Sequence, residues 1–437
     1  LHVVPWPFVA IGQNALRALT TASECTAVGY SAGRRATTAT SLTVFGNSAG
    51  EDVTTGTYNH FFGRYAGRSV TTGSYNIAFG STALDQGTTC SYNIAIGNGA
   101  AQNQSIGDYN VAVGDRTLKN YQGSGTVAIG HRAFHDTSSG INGVAVGYQA
   151  AYSTTTGDSN TAIGYEALKD NTSGGANTAL GRDALKSNTT ADNSTAIGLG
   201  SLQSNTTGGS NVGVGMNSLN VNTTGYGNAA FGYGTLALVT TGYQNTGLGA
   251  NAGRDLTTGD YNVFAGRYGG AGVTEGNRNV GIGPYTLYGV CTGNDNVAIG
   301  YEALNDITSA SNNISIGYRN SFETTTGANN VAIGYEALKS NTTASSNVVV
   351  GYQALLNGTT ADANTCIGKD AGKALTSGNN NTAVGVGAGL NMTTGGNNIM
   401  LGNHAGTSGS PSGTITNGNN IICLGDNSIA ALYCAQS

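Results

Sequence analysis

Charge is what this sequence has least of. Only 9% of its 437 residues are Asp, Glu, Lys or Arg, and 18 basic against 23 acidic side chains leave a formal net charge of −5. That balance offers no basic footprint to a phosphate backbone, so nucleic acid is not an expected partner. No run of eighteen apolar residues occurs, which removes a helical membrane span from the expectations. The opening LHVVPWPFVAIG has no basic segment ahead of its apolar one and does not read as a signal peptide. Histidine is scarce too: His2, His60, His131, His135 and His404. His131 and His135 have the i, i+4 spacing of a helical metal pair, but no HExxH glutamate stands between them. The six cysteines, Cys25, Cys90, Cys291, Cys366, Cys423 and Cys434, form no CxxC motif. Cys366 and Cys423 stand where comparable segments carry Ala, which reads as small apolar filling. Neither zinc nor a disulfide framework is expected. Glu166, Glu302 and Glu336 recur too far apart to work as a carboxylate pair. An enzyme, a cofactor and a bound metal are all outside the expectations.

What the chain has is glycine, 70 residues of it, with abundant Asn and Thr and only four prolines. Low charge and much glycine are common in disordered chains, but disordered chains do not hold apolar residues in strict register. This one does. Taking the Gly that closes segments such as TAIG as an anchor, 25 anchors run from Gly12 to Gly425. Of the 24 intervals between them, 22 are 17 residues long, one is 16 (Gly114 to Gly130) and one is 23 (Gly402 to Gly425). The residue before the anchor is apolar in every case. The third residue before it is β-branched in 23 of 25, the fourth before it is Asn in 18, and the third after it is Ala in 17. A polar stretch rich in Asn, Thr and Gly follows.

This is the grammar of a short strand followed by turns. A 17-residue unit is too short for two helices and their connections. One strand per unit at fixed register predicts an all-β chain, a parallel β-solenoid or β-roll of about 25 coils. Ile163–Gly164, Ile299–Gly300 and Ile333–Gly334 are taken as structural anchors, and the recurrent Asn as a side-chain ladder from coil to coil. Residues 1–7 read as a lead-in, 8–406 as the solenoid, and 407–437 as an irregular insertion, a last coil and a C-terminal cap.

Alternate strand side chains point to opposite faces. In TAIG, Ile163 and Thr161 share one face and Ala162 takes the other. The expectation is that the Ile face fills the coil. The opposite face carries only Ala, Gly, Ser, Val, Phe, Cys or Met across the repeats. Strands without charge on either face are normally buried on both. The second face therefore predicts a partner, most simply identical chains in a parallel homo-oligomer.

Asn171, Asn188, Asn205, Asn222 and Asn341 lie seven residues after an anchor in N-x-[ST] sequons, Asn357 and Asn391 lie six after, and Asn103, Asn193 and Asn313 also fit N-x-[ST]. They are candidate glycosylation sites; plain turn chemistry is the competing reading. Tyr148, Tyr165, Tyr233, Tyr301, Tyr335 and Tyr352 follow an anchor directly. An aromatic column of that kind can meet a glycan, and more often serves packing.

The recurring NTAIG, NVAIG and NVAVG cores with their Gly and Thr turns resemble the head repeats of trimeric autotransporter adhesins over roughly residues 8–406. That resemblance implies a left-handed parallel β-roll with three chains around one axis. The period here is longer than in the adhesin heads, which implies a wider coil or a longer outer loop. Long repeats of this sort are similar to the shafts of phage and other viral tail fibres. The C-terminal TSGSPSGTITNG (Thr407–Gly418) and NNIICLGDNSIAALYCAQS (Asn419–Ser437) resemble fibre segments that precede an endosialidase-type intramolecular chaperone. The resemblance implies autocleavage at about Ser437. Together these features give a structural, adhesive fibre as the expected function, a homotrimer at a virion surface or otherwise extracellular, with a cell-surface glycan or receptor as partner. A glycosylated bacterial or environmental adhesin filament is the first alternative. An ice-binding solenoid is the second; it needs a flat T-x-T face, whereas the Thr pairs here are adjacent.

Overall fold

The computed structural model describes residues 8–21, 23–103, 106–139, 142–410, 412–426 and 428. Every regular element in that set is a β-strand of three residues. The chain divides into two compact units, Leu1–Thr224 and Gly225–Ser437. The first holds thirteen strands, from β1 (Val9–Ile11) to β13 (Val212–Val214), and the second twelve, from β14 (Ala229–Phe231) to β25 (Ile422–Leu424). Within each unit consecutive strands pair in parallel. β10 (Thr161–Ile163) sets Thr161 beside Thr178, Ala162 beside Ala179 and Ile163 beside Leu180. Each unit is thus an all-β parallel solenoid with about 17 residues per turn.

The strands are short because the anchor ends them. Gly164, Gly300 and Gly334 have φ of +139°, +130° and +144°, a backbone state other residues avoid. A Cβ at Gly164 would also run into the carbonyl of Gly181 in the next coil. Beyond the anchor the chain alternates hand. Glu166 and Leu168 both sit at φ +53°. This turns successive N–H groups in opposite directions along the stack. The Glu166 N–H donates to the Tyr148 carbonyl of the preceding coil, and those of Leu168 and Asp170 to Ala184 and Lys186 of the following one, all at 2.9 Å. Corners without strand geometry thereby satisfy their backbone groups. A left-handed Leu costs about 1–2 kcal/mol, while burying its side chain contributes about 1.5–3 kcal/mol. Leu168 is fully buried, so burial wins.

The solenoid is inside out relative to the strand-face expectation. Ala162 is 0% exposed and Ile163 is 36% exposed. The same holds along the stack: the middle residue of nearly every strand is buried and its two neighbours face outward. The reason is volume. The coil interior is narrow and is filled from three places: the middle strand residue, the fourth residue after the anchor and the seventh. With Ala162 in the strand, Leu168 and Asn171 supply the bulk. With Phe61 in the strand, the fourth position is Gly67, where a Cβ would collide with the Phe61 ring. Phe264 and Gly270 repeat the arrangement. A β-branched residue stands mid-strand beside a Leu where the seventh position gives up its bulk: Val349 and Leu355 are both fully buried, and Gly358 is seventh after the anchor.

Polar columns hold the turns together. Each buried Asn four before an anchor accepts from the next backbone: the Asn76 N–H donates to Asn59 Oδ1 at 3.0 Å, and Asn76 Nδ2 donates to the Cys90 carbonyl at 2.8 Å. The second unit repeats this from Asn245 to Asn398. On the outside, Thr172 Oγ1 donates to the Thr189 carbonyl at 2.9 Å, and Thr189 Oγ1 to Thr206 at 3.0 Å. A third column lets Ser, Asp or Asn side chains accept from the backbone one coil back, as Asp362 Oδ1 does from the Ser345 N–H at 2.7 Å. The 16-residue coil keeps register by placing the buried Tyr121 in the interior, its hydroxyl 2.6 Å from Thr126 Oγ1. The 23-residue interval ends in a strand that pairs normally, Met400 beside Cys423.

Candidate interaction face

The outward strand positions form the most distinctive surface. Side by side in the first unit stand Phe45, Phe62 and Phe79, with ring centroids 5.2 and 5.7 Å apart. Ile77, Ile96, Ile129, Ile163 and Leu180 continue that face, and all five are exposed. In the second unit Phe231, Leu248, Ile282, Ile333, Ile367 and Leu401 do the same. No Asp, Glu, Lys or Arg occupies either outward strand position anywhere in the repeats; His60 is the one titratable residue. Thirteen consecutive strands of the first unit and twelve of the second carry this uncharged, outward-facing apolar pattern, and large contiguous apolar patches on a protein surface mark interaction sites. Ile163 and Ile333 are therefore anchors of an outer face, while Gly164, Gly300 and Gly334 hold the turn beside it.

Charges gather away from this face. Glu166 is held by Lys169 at 2.9 Å and by Lys186 of the next coil, at 2.6 Å. The Lys186 hydrogen bond is the main cause that holds the Glu166 carboxyl below its ordinary value, against the opposing effect of burial. Glu336 is depressed in the same manner by Lys339, and Glu302 pairs with Arg319 at 3.1 Å. All three glutamates are tied to cations, Glu166 and Glu302 across coils and Glu336 within its own. His131 stacks on Tyr148 and His135 on Tyr152, so the two rings join different columns. Among the described residues no group of three or more His, Cys, Asp or Glu is placed to hold a metal ion. Five cysteines are free and buried; burial pushes Cys366 and Cys90 up to about 12 and Cys291 to about 11.

The sequons part company. Asn171, Asn188, Asn205, Asn222 and Asn341 are completely buried. They form an inner ladder: Asn188 Nδ2 donates to Asn171 Oδ1 at 2.8 Å, Asn205 Nδ2 to Asn188 Oδ1 at 3.1 Å, and Asn222 Nδ2 to Asn205 Oδ1 at 2.7 Å. Asn341 Nδ2 donates to the Ala344 carbonyl. A glycan cannot be carried on an amide packed inside the coil, which corrects the expectation for these five. Asn357 is exposed and Asn391 half-buried, one position earlier on the turn. Ser437, taken as a cleavage boundary, lies outside the described residues.

Tyrosines form ladders with rings nearly parallel. Tyr58, Tyr75, Tyr92 and Tyr109 are spaced 4.9–5.0 Å apart, and Tyr301, Tyr318, Tyr335 and Tyr352 5.1–5.5 Å. Each ring covers its neighbour's face, as packing requires. Two places break the pattern: Tyr243 meets Tyr261 edge-on at 77°, and Tyr288 stands edge-on to Tyr268 and Tyr285; sequence reasoning passed over both. The signal at Tyr288 is visible in YTLYGVC (Tyr285–Cys291), where a Cys stands in a column that carries Thr in most other coils.

Comparison with protein-family models and with curated proteins finds no match for the chain. No helix among the described residues is long and apolar enough to cross a membrane.

Proposed function

We propose that the chain is a structural and adhesive fibre protein, a homotrimeric β-solenoid shaft of a viral, phage-like tail fibre or another extracellular appendage that mediates surface attachment. The observation that carries this reading is the uncharged, β-branched outer strand face. A surface of that composition and extent favours burial against a like surface, and a parallel arrangement of identical chains lets the same side chains meet at every coil. Three copies rather than two follow the resemblance to the autotransporter head repeats. No catalytic step, cofactor, nucleic acid or membrane insertion enters the mechanism. Stacked backbone and side-chain ladders carry load along the coils, and attachment comes from groups displayed outside them.

The glycan-coated filament has less support, because six of its ten sequons, Asn313 among them, are buried. The ice-binding reading has less as well, since one Thr of each adjacent pair donates its hydroxyl to the next coil.

Native mass spectrometry and light scattering test the proposal. The expected result is three chains for the wild type, and dissociation when Ile163→Asp and Ile333→Asp put charge on the outer face. A monomeric wild type would overturn the assembly, and a wild type that attaches to no cell surface would overturn the adhesive role.

A further inference from the structure

Four tyrosines of the first unit occupy one place in consecutive coils. Tyr58, Tyr75, Tyr92 and Tyr109 each lie five residues before an anchor, and the same column holds Ser41 before them and Gly125 after them. The backbone fixes where each ring starts. All four residues have left-handed φ, between +56° and +62°. The N–H groups of Tyr75, Tyr92 and Tyr109 donate to the Thr57, Ser74 and Ser91 carbonyls of the preceding coil at 2.9, 3.0 and 3.2 Å. The rings stack face to face, with centroids 4.9, 4.9 and 5.0 Å apart and planes 12°, 4° and 9° from parallel. They are also open to reagents: Tyr58, Tyr75 and Tyr92 are 47% exposed and Tyr109 64%.

Stacked, exposed phenols have a chemistry that isolated ones lack. Among side chains that give up a single electron readily, the five described cysteines are buried, and the one tryptophan, Trp6, lies outside the described residues. Tyrosine is the exposed one. A phenol that loses an electron and its proton becomes a phenoxyl radical, with the unpaired electron shared onto the ring carbons ortho to oxygen. Two such radicals couple when their ring faces meet. The second unit supplies a contrast, because Tyr243 meets Tyr261 at a similar distance, 5.2 Å, but at 77°. An edge-on ring turns its hydrogens to the neighbour instead of its π face.

We propose that the ladder from Tyr58 to Tyr109 is a site of oxidative cross-linking, where a one-electron oxidant converts stacked neighbours into dityrosine. Two phenols give two electrons to two equivalents of the oxidant and two protons to solvent. The radicals form one carbon–carbon bond between ortho positions. The hydrogen on each of those carbons then passes by way of solvent to the oxygen of its own ring, which restores both phenols. The product is lighter by two hydrogen atoms. The bond ties one coil to the next outside the hydrogen-bonded ladders. Tyr75 and Tyr92 are 17 residues apart, so their link closes a loop in the unfolded chain and restricts the unfolded ensemble.

The test exposes the full chain, at low concentration, to tris(bipyridine)ruthenium(III) generated by light and persulfate. The readouts are dityrosine fluorescence, migration on a denaturing gel and peptide mass. Cleavage before Asp85, Asp108, Asp255 and Asp260 separates Tyr75, Tyr92 and Tyr109 from one another and Tyr243 from Tyr261. Each of these links therefore joins two identifiable peptides. The expected result is Tyr75–Tyr92 and Tyr92–Tyr109 links in chains that still migrate singly, at least several-fold more abundant than the Tyr243–Tyr261 link. Unfolding in urea before oxidation is expected to erase that preference. Tyr92→Phe keeps a ring in the stack; it is expected to abolish both links and to leave the Tyr58–Tyr75 link in place. The inference is overturned if the folded chain forms no dityrosine in this ladder, or if the edge-on pair couples as abundantly as the stacked ones. It is equally overturned if the unfolded chain gives the same pattern, or if the links join separate chains, since the rings then meet between copies.

Discussion

Two stretches of the first unit fold into the same coil with different fillings. Between Gly29 and Val70 the fourth residue after each anchor is Gly33, Gly50 or Gly67, and the seventh is Ala36, Val53 or Val70. Between Gly164 and Asn222 the fourth is Leu168, Leu185, Leu202 or Leu219, and the seventh is Asn171, Asn188, Asn205 or Asn222. The backbone is common to both: Gly50 and Gly67 have φ of +55° and +57°, Leu168 and Leu185 +53° and +49°. In the glycine stretch the interior is apolar, with Phe61 and Val44 reaching across from the strand. In the leucine stretch the strand contributes only Ala179, Ala196 and Gly213, and an amide ladder fills the opposite corner. The difference teaches that the coil fixes a volume and a backbone path, not a residue at each place. Bulk moves between positions so long as the total is kept. Polar filling is tolerated only as an unbroken column, since each amide supplies its neighbour's partner.

Substitutions can break that comparison in order of expected effect. The largest acts on what both stretches share: Gly181→Ala places a Cβ against the Gly198 carbonyl at φ +139°, and a loss of more than about 4 kcal/mol is expected by urea unfolding, with new protease cleavage near the site. Next, Asn188→Ala removes the donor to Asn171 Oδ1 and one of the two acceptors of Asn205 Nδ2, which keeps the Gly208 carbonyl, and should destabilise by about 1–3 kcal/mol. The reverse change, Val53→Asn between Ala36 and Val70, buries an amide with no ladder to join and should also destabilise, by about 1–3 kcal/mol. Third, Phe61→Ala with Gly67→Leu rewrites one filling as the other. Each change alone is destabilising, and the pair should recover about 1–3 kcal/mol in a double-mutant cycle; additivity would refute the shared-volume account.

A smaller effect separates the stretches by pH. Glu166 is depressed below its ordinary 4.5 by Lys186, with Lys169 adding to it. A depressed carboxyl contributes stability that is fully present above 4.5 and lost as pH falls through its lowered folded value. Glu166→Gln should flatten the stability profile in that acid window by no more than about 1 kcal/mol, with no effect at Val53 and its neighbours. The least change is expected at the thiols. With Cys366 and Cys90 pushed up to about 12, iodoacetamide at pH 8 followed by peptide mapping should find these two thiols unmodified in the folded chain and labelled only after unfolding. Rapid labelling of the native protein would show that its interior opens.

Much of this was legible in the residues. The period, the strand at its fixed place, the anchor glycines and the Asn column at Asn59, Asn76 and Asn330 all follow from register, because a strand pattern and a turn pattern repeated at one spacing leave few other folds. The candidate site was less legible. The sequons at Asn171 and Asn188 spell a surface motif, yet these residues sit where the coil needs small polar filling. The edge-on Tyr288 was hidden because a one-place shift beside it, which buries Cys291 and leaves Val290 exposed, changes which side chain faces inward without altering composition.

By itself the sequence determined the coil: 17 residues, one strand, glycine where the chain must turn through positive φ against the next carbonyl. It also determined that neither strand face would carry charge. Which of those faces lies inside was decided only in three dimensions. Alternation distinguishes two faces without labelling them, and the label depends on how much space remains once Leu168, Asn171 and their counterparts from the corners have entered. That space admits the methyl of Ala162 and leaves Ile163 outside.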